Sequence, residues 1–155
     1  MRPGVRLGVD YGGARIGVSV SDPQASVVLP LTVVQADPYG DEDVAEVAEI
    51  AREREAVEII VGYPRHMSGK VGSSARAARK FAVKLGQLCP HLRVALVDER
   101  LTSVQAQAHL SQMQVSTRER KGKVDPIAAA IILETALEME RSTARPAGET
   151  VWRPR

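Results

Sequence analysis

Val57–Val61 is a short run, apolar except for Glu58, stopped at once by Gly62-Tyr63-Pro64. Ile59, Ile60 and Val61 are consecutive and apolar, so side chains on both faces of this strand must be covered, which is the situation of a parallel strand inside an α/β sheet. The segments around it agree. Asp43 with Glu46 forms a capping-box pattern, and Val44, Val47, Ala48 and Ala51 recur at helical spacing, which predicts a helix reaching about Glu55. Beyond a loop over 65–72, Ser73 or Ser74 can cap a second helix with Ala78, Phe81, Ala82, Leu85 and Leu88 on one face. Val94–Val97 is a further short strand, Thr102 with Gln105 opens a third helix, and a last helix runs from Asp125 or Pro126 to about Arg141.

Upstream, Val5, Leu7 and Val9 alternate, Gly12-Gly13 turn the chain, and Ile16, Val18 and Val20 resume the alternation, so this stretch reads as a hairpin. Val27–Val34 is a third β-rich run whose Pro30 requires an edge or a bulge. The order β-β-β-α-β-α-β-α-α predicts an α/β fold with a mixed five-stranded sheet and helices on both faces. Residues 1–141 form a single domain in this reading, and 142–155, with Pro146, Gly148 and Pro154, a disordered tail.

A chain of 155 residues is one ordinary domain. Its five aromatic residues leave the core to aliphatic side chains and poorly supply a base-stacking platform. A single cysteine, Cys89, rules out an intramolecular disulfide and fits a reducing cytoplasm. No secretion signal is expected at the start, and no run approaches the ~18 apolar residues of a membrane span. Net charge is only +2, but it is polarised: Asp41–Glu58 holds eight acids and two bases, whereas Arg65–Arg93 holds seven bases and no acid. One anion-facing surface is expected. Arg76, Lys80 and Lys84 line the polar face of the second helix with no acid four residues away, which leaves them available to phosphates. A second basic group, Arg118, Arg120, Lys121 and Lys123, falls in the loop before the last helix.

Acids stand where ligands gather in such sheets, outside the carboxyl ends of strands, and one more stands where the last helix begins. Asp10 closes the first strand, Asp98 and Glu99 close the last, and Asp125 heads a helical stripe with Ala129, Ile132 and Ala136. Strand side chains alternate, so only one of Asp98 and Glu99 can join Asp10, and spacing does not choose between them. Three clustered carboxylates would repel one another and take up protons unless a cation held them, and hard oxygen donors favour Mg²⁺ or Mn²⁺. Singly, each acid also has an ordinary structural role: a turn residue, an N-cap before proline, or a surface pair of Glu99 with Arg100.

The segments Leu7-Gly8-Val9-Asp10-Tyr11-Gly12 with Arg15-Ile16-Gly17-Val18, Ile60-Val61-Gly62-Tyr63-Pro64, Asp98-Glu99-Arg100-Leu101-Thr102-Ser103 and Lys123-Val124-Asp125 with Ala128-Ala129 resemble the YqgF/RuvX family. That resemblance implies a ribonuclease H-like fold, a nuclease active on the 5′ end of 16S rRNA or on Holliday junctions, and Asp10, Glu99 and Asp125 as its acidic triad. His66 and Ser68 stand where many members carry Asn and Asp. The expected function is therefore a cytoplasmic, metal-dependent endonuclease for structured RNA, as monomer or homodimer. The alternatives are a resolvase of four-way DNA junctions and a nucleic-acid-binding ribosome assembly factor that does not cut.

Overall fold

The structure, a computed structural model, describes residues 1–63, 73–99 and 124–155. The elements are β1 (Arg6–Tyr11), β2 (Arg15–Ser21), β3 (Val28–Gln35), α1 (Glu42–Glu53), β4 (Glu58–Tyr63), α2 (Ser73–Leu88), β5 (Arg93–Asp98), α3 (Val124–Thr143) and β6 (Glu149–Trp152). The helix expected from Thr102 and the basic loop Ser116–Lys123 lie outside the described residues.

The sheet order is β3-β2-β1-β4-β5-β6. Parallel β1, β4 and β5 form its centre, and antiparallel pairs flank them. Pro30 satisfies both of its constraints: β3 is an edge strand, and its register shifts beside Ser19, which faces Pro30. The sheet has six strands rather than five, and the tail is not disordered. Helix α3 continues to Thr143, and β6 then pairs with β5, whose outer edge would otherwise be bare. Trp152 anchors this strand: it fits against Gly86, its indole N–H donates to the Pro90 carbonyl at 3.3 Å, and the Arg155 guanidinium covers its ring at 4.6 Å.

Alternation sorts the sheet's side chains between two cores. Leu7, Val9, Ile59, Val61, Val94 and Leu96 pack under α1 and α2, whereas Ile60, Ala95 and Val97 pack under α3 with Ala130, Leu133 and Leu137. The start of α1 departs from the capping-box expectation. Asp41 is the N-cap and makes no side-chain cap bond, while Asp43 is buried and accepts from the Asp37 and Val44 N–H groups. Asp37 does the local work instead, accepting from the N–H groups of Tyr39 and Glu42.

At the amino ends of the parallel strands lies a buried ionic row. Arg6, Glu58 and Arg93 are in register across β1, β4 and β5, and are 0%, 2% and 8% exposed. Arg93 meets Glu58 at 2.8 Å, Arg6 meets Glu58 at 3.6 Å, and Glu140 near the end of α3 meets Arg6 at 3.3 Å. Arg2 also meets both glutamates. Burial alone would raise the Glu140 carboxyl; its bonds from Arg2 outweigh this and hold it below its ordinary value.

Helix α3 can lie close to the sheet because β1 has no side chain at Gly8. A Cβ there would come within 2.6 Å of the Ala129 carbonyl and 2.7 Å of Leu133 Cβ. Ser19 fastens the same turn, its Oγ donating to Ala129 O at 2.8 Å. Gly8→Ala should therefore lift α3 and destabilise the fold by about 1–3 kcal/mol, the range for overpacked cores. Urea denaturation measures this; an unchanged midpoint would contradict the close helix–sheet packing.

Candidate active site

Asp10 is two residues beyond Gly8 on β1 and so shares the face covered by α3. On β5, Ala95 and Val97 face α3, whereas Val94 and Leu96 face α1 and α2. Asp98 follows the second set and is nearly buried. Glu99 falls on the α3 side: a hydrogen bond joins it to Asp10, and both line a cleft of about 210 Å³ with Ala128, Ile131 and Ile132. The choice between Asp98 and Glu99 that spacing leaves open is thus made by the facing of β5.

The two acids meet across an intervening strand. Asp10 is opposite Gly62 of β4, and Gly62 is opposite Val97 of β5, so Asp10 and Val97 stand two strand spacings apart, roughly 10 Å, and Glu99 follows two residues beyond Val97. Gly62 puts no side chain between them; a Cβ there would lie 2.3 Å from Ile132 Cδ1, so the α3 side chain fills that space instead.

Burial is the main cause that pushes the Glu99 carboxyl up to about 7, followed by its hydrogen bond to Asp10 and the negative charges of Asp10 and Asp98. Glu99 therefore keeps its proton to higher pH than an ordinary carboxyl, and in that form it donates to Asp10. Asp125 is in the first turn of α3, one turn ahead of Ala128 and Ala129, and its side chain lies outside the described residues. Among the described residues no three His, Cys, Asp or Glu side chains come together as a metal site. Ala129, Ile132 and Ala136, the rest of the predicted stripe, are all buried.

The sheet's other face carries cations at the same strand ends. Arg76 and Lys80 of α2 are exposed. Lys84 is half-buried and donates to Asp41 Oδ1 at 2.6 Å, a partner from another element that helical spacing cannot reveal. That bond holds the ammonium above its ordinary value. Tyr11, next to Asp10, stacks on Phe81 of α2 with centroids 4.8 Å apart, and burial raises its phenol. Arg118, Arg120, Lys121 and Lys123, and also His66 and Ser68, lie outside the described residues. Sequence reasoning missed the apolar wall, Ala128 and Ile131, and the two neighbours Tyr11 and Asp41. Asp41 carried a signal as the first acid of the acidic run, and Tyr11 and Ala128 fall within the segments that carry the family resemblance.

Solved structures with a similar course of chain include the RuvC resolvase of T. thermophilus in complex with a Holliday junction substrate, with a TM-score of 0.59 and 17% identity over 92% of this chain and 99% of that one. The fowlpox virus resolvase, solved with Holliday junction DNA, gives 0.53 and 14% over 91% and 99%. The fold is ribonuclease H-like. The chain belongs to the RuvX family, described as Holliday junction resolvase, whose profile matches residues 4–139. It is 44% identical to a Thermobifida fusca protein, over 97% of this chain and 98% of that one, and 42% identical to one from Clavibacter sepedonicus, over 100% and 96%. Both carry the name "Putative pre-16S rRNA nuclease". No helix among the described residues is long and apolar enough to cross a membrane.

The Glu99 shift has a consequence for the metal-free protein. A folded value of about 7 against an ordinary 4.5 means that the unfolded chain loses this proton first as pH rises. The contribution of protonated Glu99 is therefore complete below pH 4.5, fades between 4.5 and 7 and is gone above. Glu99→Gln removes the penalty. In chelator it should match the parent at pH 4.5 and exceed it at pH 8 by about 1–2 kcal/mol, a figure discounted for solvent access. Thermal melts at both pH values check this, and an equal difference at the two would refute the shared proton.

Proposed function

We propose that this chain is a metal-dependent endonuclease of the cytoplasm that hydrolyses phosphodiester bonds in structured RNA, processing the 5′ end of the 16S rRNA precursor. The observation that carries the reading is the Asp10–Glu99 carboxyl pair, held in a cleft at the carboxyl ends of the parallel strands. The relatives' names supply the substrate class.

The donor set fits Mg²⁺ or Mn²⁺: the described acids offer hard oxygen atoms, and two carboxyl groups sharing a proton form a site that a cation can occupy in the proton's place. Asp10 and Glu99 would hold the ion, with Asp125 as the third ligand from the start of α3. When bound, such an ion lowers the pKa of water and stabilises the charge developing on the phosphate. Glu99 would give up its proton. Ala128, Ile131 and Ile132 form an apolar wall that limits water on the α3 side. Arg76 and Lys80 would hold backbone phosphates, with Lys84 and the basic group Arg118, Arg120, Lys121 and Lys123 extending the contact.

A second reading keeps the same carboxylates and cuts four-way DNA junctions, which the family's description favours. That reading requires a homodimer to cut paired strands, whereas a monomer suffices for RNA. Incubating the protein with precursor 16S rRNA and with a four-way junction, each in Mn²⁺ and in excess chelator, separates the readings. RNA cleavage in Mn²⁺ alone is expected. Asp10→Asn keeps the side chain's shape and should lower cleavage by roughly two orders of magnitude or more while the fold is retained. Binding without cleavage in either ion would instead identify an assembly factor that does not cut.

A further inference from the structure

We propose that Asp41 is a built-in competitor for the substrate's phosphates: it occupies Lys84 in the free protein and gives it up when nucleic acid binds, so that this acid sets affinity and salt dependence. The inference rests on the nuclease reading for the identity of the polyanion.

Three observations carry it. First, Lys84 continues the row of Arg76 and Lys80 along α2 at four-residue intervals, in a stretch of chain with seven bases and no acid. Asp41 reaches it from outside that stretch, as the N-cap of α1. Second, the pair is accessible to solvent, with side chains 34% and 60% exposed for Lys84 and Asp41. Pairs of this kind are weak and screened by salt, so a phosphate backbone can displace the carboxylate. Third, the pair lies at the active end of the sheet. Phe81, three residues before Lys84 on α2, stacks on Tyr11, and Tyr11 follows Asp10 directly. The Lys84 charge is also close enough to Tyr11 to lower its phenol's pKa against the larger effect of burial.

Asp41 has no competing structural duty. Its side chain makes no helix-cap bond, and the Asp37 carboxylate serves the N–H groups ahead of α1. Replacing it by asparagine keeps shape and cap preference while removing the charge that holds Lys84. Freed, Lys84 adds one phosphate contact without taking anything from Arg76 or Lys80.

The experiment is fluorescence-anisotropy binding of a labelled RNA hairpin in EDTA, over a range of KCl, with the parent, Asp41→Asn, Lys84→Ala and the double variant. Circular dichroism melts verify folding. Asp41→Asn should bind about threefold more tightly at low salt, and its slope of log K against log[salt] should steepen by roughly 0.7–0.9, the value of one phosphate contact. Both gains should vanish in the double variant. An unmoved Asp41→Asn beside a parent that binds overturns this proposal alone. A gain that survives in the double variant also overturns it, because Asp41 would then act only as a distant like charge. If neither the parent nor Asp41→Asn binds the hairpin or a four-way DNA junction, the nuclease reading falls and takes this proposal with it.

Discussion

The row Arg6–Glu58–Arg93 fixes the register of the three central strands, and everything at the opposite end of the sheet inherits that register. Slipping β1 by one residue against β4 would set Arg6 beside Ile59 or Val57 and strand a buried carboxylate, and breaking a buried pair costs about 3–5 kcal/mol. The same slip would turn Asp10 to the α1/α2 face. Glu140 extends the constraint to α3, because its bonds to Arg2 and Arg6 tie the helix's last turns to the amino end of β1. With that end held and Gly8 admitting the helix midway, α3 presents its first turns, with Ala128 and Ile132, to the carboxyl ends where Asp10 and Glu99 meet. Backbone carbonyls of Arg2, Gly4 and Ala147 accept further bonds from Arg6 and Arg93, which spreads the charge of three guanidiniums over more than two carboxylates.

What the sequence made legible was local or periodic. The Gly-Gly hairpin, the both-face burial of β4 and the helical stripes of α1 and α2 follow from spacing within one element, and Pro30 could only have been at an edge or bulge. The misses are all long-range. Strand β6 is four residues long and half polar, and its identity depends on β5 offering an edge and Gly86 offering room for Trp152. Nothing local to Arg2 and Arg6 announces that Glu58, Arg93 and Glu140 will surround them. Asp43 has the pattern of a capping box, yet the fold buries it under Asp37. Glu99 needed the facing of β5, which alternation supplies only after a neighbouring residue has been assigned to a core.

Acid and base occupy opposite faces of the sheet but the same edge. Asp10 faces α3, and its neighbour Tyr11 faces α2, where Phe81 and the Lys84–Asp41 pair lie. The polarity of charge along the chain becomes polarity in space by the same topology. The acidic segment folds as α1, the basic segment as α2, and the two helices lie side by side on one face.

Adjacent acids on β5 show how the fold divides chemistry between positions. Asp98 and Glu99 differ by one residue and one side of the sheet. Of the two, it is Glu99 that enters the cleft with Asp10, and among the described residues the other walls are Ala128, Ile131 and Ile132, groups that cannot solvate a charge. Two carboxyl groups in such a place cannot both ionise cheaply, and the proton they share is the smallest cation available to them. A neutral ligand would leave that repulsion in place, and an anion would add to it. The cleft by itself therefore selects positive charge, and Lys84 of α2 stands outside it, on the sheet's α1/α2 face.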